Sequence, residues 1–320
     1  MNTSLHSDSA TTPAADDRRP MRTALVLGGG GSTGNAWLIG VVAGLLDAGL
    51  DVADADVVIG TSAGATAAAQ ITGASPAELF SAVLSSAPPP RPASAGSNQG
   101  PGRTESARQH MDRTSRIIDT AQDPAEMRRG LGAAALELDA SSDDSMSERW
   151  RATVAARLPN QEWPQRRVLI TAVDAENGDP VVFDRHSGVD LVDAVAASCS
   201  SGFAYRIGDR RYIDGGYRTN ADNADLASGC ARVLVLSPFS GRARTPAEWG
   251  LHLATQIDEL RAQGSQVETI FPASDAEYMF GANAMDLSLR PAAARAGHDQ
   301  GRQHAEALSE FWTSRPERSA

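Results

Sequence analysis

The stretch "ADVVIGTSAGATAAAQITG", residues 55–73, decides how this chain folds. An apolar run, Val57-Val58-Ile59, stops at Gly60, and a run of small residues from Thr61 to Ala69 leads on to a second glycine stop at Gly73. This reads as strand, tight turn and helix. Upstream, "TALVLGGGGSTGNAWLIGVVAGLLDAG" (23–49) has the same form, with Trp37, Val41, Leu45 and Leu46 at helical spacing after a glycine-rich loop. Two consecutive βα units predict a parallel sheet with right-handed crossovers, an α/β fold. The stretch also holds Ser62 between Gly60 and Gly64. A serine lifted on a sharp strand-to-helix turn needs small residues two positions to either side, because a side chain there would meet the adjoining strand or helix. The competing reading is purely structural: a helix N-terminus whose glycines pack against a neighbour.

With 320 residues, 41% of them hydrophobic, the chain has ample material for one large α/β domain or two small ones. Its formal charge of −11, from 40 acidic and 29 basic residues, opposes field-driven association with nucleic acid or an anionic bilayer. Any lipid contact is then apolar, local and transient. Lysine is absent, so a Ser–Lys dyad, a Schiff-base lysine and a phosphate-loop lysine are excluded. Cys199 and Cys230 lie 31 residues apart, which is no metal-ligand spacing, and read as buried thiols in a reducing compartment. The opening "MNTSLHSDSATTPAADDRRP" is polar and reads as a disordered tail over 1–20. No run approaches the roughly 18 apolar residues of a membrane span. The expectation is a cytoplasmic protein.

"SPAE" (75–78) opens a further helix, and 85–107 turns to Pro, Gly, Ser and Ala without periodicity, a mobile loop and a candidate lid. Met146, Trp150, Val154 and Leu158 line one helical face and are expected to cover the sheet. "RRVLITAVDA" (166–175) and "PVVFD" (180–184) form a strand pair turning through Asn177-Gly178-Asp179, and "VDLVDAVAAS" (189–198) a buried helix. "YRIGDRRYIDGG" (205–216) reads as a hairpin ending on an acid, and "ARVLVLSPF" (231–239) as a core strand. "TPAE" (245–248) repeats the capping pattern ahead of a helix to Ala262, and a last helix spans 291–312. One domain over 21–312 is expected, followed by a tail at 313–320.

Two loops and one turn carry the chemistry. In "LGGGGSTGNAW", Gly29, Gly31 and Gly34 satisfy G-x-G-x-x-G, the dinucleotide fingerprint, but that fold wants an acid ending the second strand. Here the second strand ends in Gly60-Thr61-Ser62, and Asp51, Asp54 and Asp56 precede it. The same loop can instead present backbone N–H groups to a tetrahedral oxyanion. A serine nucleophile needs a base. Of six histidines, His6 falls in the tail, His110 borders the Pro-rich loop, and His186, His252, His298 and His304 carry no local signature. Asp214, in "YIDGGYRTN", is either a turn former or, with a reference pKa of about 3.9, a carboxylate able to accept the serine proton directly.

"GGGGSTG" after the first strand, "GTSAG" after the second and "DGG" about 150 residues later resemble, in that order, the patatin-like phospholipase family. The resemblance extends through "AASCSSGFAYRIGDRRYIDGGYRTNADNADLA" (196–227), covers roughly 22–240 with a gap at the Pro-rich loop, and is weaker in "RPAAARAGHDQGR" (290–302). It implies a three-layer α/β/α sandwich with a mainly parallel central sheet, and a serine lipid acyl hydrolase with a Ser–Asp dyad. Carried over by position, Ser62 is the nucleophile, Asp214 the base, and the amides of Gly29, Gly30 and Gly31 the oxyanion hole. Gly34, Gly60, Gly64, Gly215 and Gly216 support the motifs. The implied substrate is a lipid or phospholipid ester, and no metal or organic cofactor is required. Two positions depart from the family: Thr33 stands where an arginine is usual, and Ser200-Ser201-Gly202 where a proline is common. Two rival readings stay open, a nucleotide-binding or oxidoreductase domain built on the glycine loop and a non-catalytic lipid-binding descendant.

Overall fold

The computed structural model of the chain describes residues 22–85, 101–139 and 145–313. The first βα unit is β1 (Thr23–Leu27) and α1 (Gly31–Asp47), and the second is β2 (Val57–Gly60) and α2 (Ala63–Gly73), followed by α3 (Pro76–Ser85). Helices α4 (Pro101–Thr120), α5 (Pro124–Asp139) and α6 (Ser145–Ala155) lead to β3 (Arg167–Asp174), β4 (Pro180–Phe183) and α7 (Leu191–Ser198). The hairpin β5 (Tyr205–Ile207) and β6 (Arg210–Asp214) precedes β7 (Arg232–Leu236), α8 (Leu253–Ala262), β8 (Gln266–Ile270) and α9 (Arg290–Thr313).

Among the described residues all eight strands join one sheet. β1 pairs in parallel with β2 and β7, β2 with β3, and β7 with β8, whereas β4 and β6 pair antiparallel with β3 and β5 antiparallel with β6. The apolar runs form central strands because both faces are covered. Leu25, Leu27, Val58, Leu234 and Leu236 point into a core shared with α1, α2, α7 and α9. Their neighbours Ala24, Val26, Val57, Ile59, Val233 and Val235 face the opposite layer, with Leu253, Ile257 and Leu260 of α8. A third apolar cluster, Ile118, Met127, Leu131 and Ala135 of α4 and α5, covers Val173 and Ile213 at the antiparallel end. Helices thus flank a mainly parallel sheet, the α/β class expected from the two βα units.

Register brings two strand ends together. Ile170 of β3 faces Gly60 on one side and Phe183 of β4 on the other. Two residues further, Ala172 faces Val181 of β4 and, on the side β2 has just vacated, Asp214 of β6. β2 and β6 therefore meet end to end along the same side of β3, each at its carboxyl terminus.

Several local expectations change. Of the segment 85–107, residues 86–100 lie outside the described residues, while 101–107 belong to α4, whose Pro101 sits at a first helical position that tolerates its missing N–H. The tails expected at 1–20 and 313–320 also lie outside, except that Thr313 still closes α9. The "TPAE" helix does not run through to Ala262: a 3-10 turn over Ala247–Trp249 ends at Gly250, whose φ of 68° breaks it before α8 begins at Leu253. β8 has no apolar signature because it lies beside β7 alone, with Gln266 and Glu268 exposed. α6 packs on α7, its Trp150 indole donating to the Ala196 carbonyl at 3.0 Å.

The helices α1 and α9 cross with backbone against backbone. A Cβ on Gly40 or Gly44 would collide with the carbonyls of Ala294 or His298, and one on Gly297 or Gly301 with those of Trp37 or Val41. This crossing is what "RPAAARAGHDQGR" encodes. Substituting Gly44 by leucine is expected to force the helices apart and cost about 3 kcal/mol or more, read as a lowered urea midpoint at unchanged m-value.

Candidate active site

Ser62 is the N-cap of α2 and has φ 52° and ψ −112°, one of three described non-glycine residues at positive φ. Such a conformation costs about 1–3 kcal/mol and persists only where the surroundings hold it. Close packing does so here. A Cβ at Gly64 would overlap the Leu27 carbonyl, and one at Gly60 would overlap Ala65 and the Gly64 carbonyl. The Ser62 amide donates to the Ser198 hydroxyl at 2.9 Å, and the Cys199 thiol donates to the Ser62 carbonyl at 3.0 Å. Burial first, then the nearby Asp214 charge, pushes the Cys199 thiol up to about 12, so it stays a proton donor. Both described cysteines are free thiols.

The Ser62 hydroxyl donates to Asp214 Oδ2 at 2.9 Å, and the Gly216 amide holds Oδ1 at 2.8 Å. Gly215 has no room for a side chain because Thr171 lies against it. Asp214 is 6% exposed, and burial pushes its carboxyl from 3.8 up to about 6, opposed by the hydrogen bonds from Gly216 and Ser62. Ser200 staples this strand end from behind. Its carbonyl accepts the Asp214 amide at 3.1 Å and its hydroxyl donates to Ala197 at 2.7 Å, so the segment without the family's proline is fixed by hydrogen bonds. No described histidine bonds to Ser62 or Asp214: His110 lies near Tyr217, His252 bonds the Thr245 carbonyl, and His298 stacks on Phe80.

The glycine loop runs alongside. A Cβ on Gly29 would sit 3.6 Å from that of Ser62. Of the three amides expected to face the site, that of Gly29 is committed elsewhere, donating to the Ala221 carbonyl at 2.7 Å. The Gly30 and Gly31 amides have no acceptor among the described residues. Gly30 and Gly34 press on Pro238, and the Gly34 amide bonds the Gly30 carbonyl at 2.9 Å. Thr33 is fully buried; its amide donates to the Ala284 carbonyl at 3.0 Å and its hydroxyl to the Met279 carbonyl at 2.9 Å. A guanidinium does reach this turn, from another element: Arg290 of α9 donates to the Ser32 carbonyl at 2.7 Å and to Asn35 Oδ1 at 3.2 Å. Asp56, by contrast, binds the Arg22 and Thr23 amides at the far end of the sheet.

Asn223 is one residue that sequence reasoning missed. It is completely buried in the left-handed region, φ 54°, and its Nδ2 donates to Thr61 Oγ1 at 2.9 Å and to the Gly215 carbonyl at 3.0 Å. Its Oδ1 accepts from Arg218 at 3.0 Å and Thr219 at 2.7 Å. One side chain therefore ties the residue before Ser62 to the residue after Asp214. The left-handed tolerance of asparagine, in the run Asn220-Ala221-Asp222-Asn223, was the available signal.

The family model for patatin-like phospholipases matches residues 25–227. The chain belongs to the patatin-like phospholipase family. No curated protein matches it. Among solved structures it is similar to VipD from Legionella pneumophila, with 12% identity and a TM-score of 0.41, over 90% of this chain and 67% of that one. It is also similar to the type III effector ExoU, with 16% identity and a TM-score of 0.37, and to full-length ExoU with SpcU from Pseudomonas aeruginosa, with 18% and 0.36. These cover 90% and 93% of this chain, which spans 53% and 54% of those.

Replacing Asn223 by alanine removes its bonds to Thr61, Gly215, Arg218 and Thr219 at one stroke, leaving Thr61 with Thr171, the Gly215 carbonyl with the Arg218 amide, and Arg218 with Asp225. Each buried hydrogen bond lost is worth about 0.5–1.5 kcal/mol. The expected result is a clearly lowered urea midpoint, with any ester turnover falling further than stability alone accounts for.

Proposed function

We propose that this chain is a serine hydrolase of lipid or phospholipid acyl esters, working through a Ser62–Asp214 dyad. The observation that carries the reading is the 2.9 Å hydrogen bond from the strained Ser62 hydroxyl to a desolvated Asp214, beside the glycine loop. Family membership supports the substrate class.

Acylation begins with Ser62 Oγ attacking the ester carbonyl while Asp214 Oδ2 accepts its proton. A base already bonded to the hydroxyl and raised toward neutrality transfers that proton more readily than an ordinary carboxylate. The oxyanion is held by the Gly30 and Gly31 amides at the positive end of α1, and one such donor is worth about 2.7–4 kcal/mol. As the tetrahedral intermediate collapses, Asp214 returns the proton to the leaving alkoxide. Water then attacks the acyl-enzyme with Asp214 as base, releasing fatty acid and free Ser62. Neither a metal nor an organic cofactor has a step to perform in this scheme.

The dinucleotide reading fares worse. A pyrophosphate would need several successive amides at the start of α1, yet that of Thr33 is spent on the Ala284 carbonyl at 3.0 Å. No helix among the described residues is long and apolar enough to cross a membrane, so contact with a lipid surface would be peripheral. We assign catalysis to one domain formed around the sheet.

Ser62→Ala is expected to abolish hydrolysis of short-chain p-nitrophenyl esters and labelling by a fluorophosphonate, with the thermal transition retained. Full activity in that variant would remove Ser62 from the mechanism. Because the base works ionised and Asp214 is shifted upward, kcat/KM should fall about tenfold per pH unit below about 6. Asp214→Asn should lose turnover at every pH while unfolding no earlier than the wild type at pH 8. A lipid extract incubated with the enzyme and analysed by mass spectrometry would show free fatty acid and deacylated lipid.

A further inference from the structure

A second buried carboxyl lies behind the glycine loop, and the mechanism above does not use it. Asp222 is 1% exposed and sits directly against Gly28, where a Cβ would overlap its Oδ1. That oxygen has no hydrogen-bond partner, although it is buried. The rest of the residue is well held: its amide donates to Asn220 Oδ1 at 2.7 Å, and its carboxyl bonds the Ser237 hydroxyl, which in turn accepts the Gly241 amide at 2.9 Å. The residue before it supplies the carbonyl that binds the Gly29 amide, and the residue after Ser237 is the proline on which Gly30 rests. The loop is thus wedged between Ala221-Asp222 on one side and Ser237-Pro238 on the other.

An orphaned oxygen in such a place is tolerable on a neutral acid and costly on a carboxylate. Burial pushes Asp222 from 3.8 up to about 7, with only the Ser237 hydrogen bond opposing it. The described surroundings bring no compensating charge: Gly28 after β1, and Leu236 and Ser237 at and just beyond the end of β7, are uncharged, and on its own loop Arg218 and Asp225 pair with each other at 2.8 Å. Once ionised, Oδ1 must find a donor, and the loop it touches at Gly28 carries two peptide N–H groups unclaimed among the described residues, those of Gly30 and Gly31.

We infer that Asp222 is a positioning residue for ester hydrolysis: neutral, it leaves the Gly30 and Gly31 amides aimed at the substrate, and ionised, it draws the loop inward and dismantles the oxyanion site. This rests on the hydrolase reading, in which the loop binds the oxyanion. Its consequence is a bell-shaped pH profile made by two carboxyls. Asp214 must lose its proton to act, and Asp222 must keep its own.

The test is kcat/KM for a soluble short-chain ester between pH 5 and 9, in the wild type and in Asp222→Asn, whose amide reproduces the neutral acid. The wild type should decline above about 7 and be about tenfold below its maximum one unit higher. The Asn variant should keep the acidic limb and lose the alkaline one. An alkaline limb at the same midpoint in both proteins overturns the inference. A second measurement needs no turnover: in wild-type protein with 15N-labelled glycine, the Gly30 and Gly31 amide resonances should shift with pH around 7. The same shift should persist in Ser62→Ala, where hydrolysis is absent. Loop resonances that ignore pH between 6 and 8 reject the role of Asp222 even if the esterase is confirmed. Absence of hydrolysis at every pH with the shift intact rejects the hydrolase reading alone. If Asp222→Asn does not fold, the wild-type titration decides.

Discussion

Two strands that run toward each other along the same side of β3 create the candidate site. β2 ends at Gly60 opposite Ile170, and β6 ends at Asp214 opposite Ala172, so the turn leaving β2 touches the last residue of β6. Nothing flexible has to span the gap between hydroxyl and carboxylate. Where the two strands stop, Asn223 Nδ2 donates to the Gly215 carbonyl and to Thr61 Oγ1, and Thr61 and Thr171 join hydroxyl to hydroxyl, so one buried side-chain cluster bridges the junction. A buried polar cluster in which each member is held by several partners is rigid, because moving one side chain breaks several hydrogen bonds together. That rigidity keeps Ser62 Oγ at hydrogen-bond distance from Asp214.

The site works against stability and the surroundings offset it. Ser62 holds a strained backbone, and Asp214 and Asp222 are carboxyls kept from water. Each acid has a raised pKa in the folded chain, so each favours the fold most below its unfolded value near 3.8, and that contribution is lost as pH rises through about 6 and about 7 respectively. The offset comes from the layers around the sheet, above all the α1–α9 crossing, where glycines on both helices allow backbone contact along their length. The same crossing delivers Arg290 to the first turn of α1, so the packing of the last helix also supports the loop facing Ser62.

The glycine loop has two sides with different duties. Gly28 and Gly29 spend their amides inward, on Leu236 and Ala221, and so anchor the loop to β7 and to the segment after Asp214. Gly30 and Gly31 begin α1 and leave theirs unclaimed among the described residues. Anchored and free donors thus sit side by side within four residues. A movement of the Ala221-Asp222 segment is thereby transmitted to the free pair through one hydrogen bond.

Much of the architecture was legible in the chain itself. The apolar runs of β1, β2, β3 and β7 announced buried strands, the helices after the first two glycine stops announced crossovers, and Gly60 and Gly64 around Ser62 announced a turn too tight for side chains. These are local constraints, set by neighbours within a few residues. The sequence alone thus determined an α/β sheet, a serine on a sharp elbow and an acid at a hairpin's end. It left β8 unseen, since an edge strand needs no continuous apolar pattern, and it assigned Gly29 an amide that Ala221 takes. It also passed over Asn223, Ser198 and Asp222, whose contacts with Thr61, Ser62 and Gly28 cross long stretches of chain. Only the tertiary structure decided that the elbow and the hairpin end meet on one side of β3, because register is chosen by the packing of whole strands and helices and is written in no single segment.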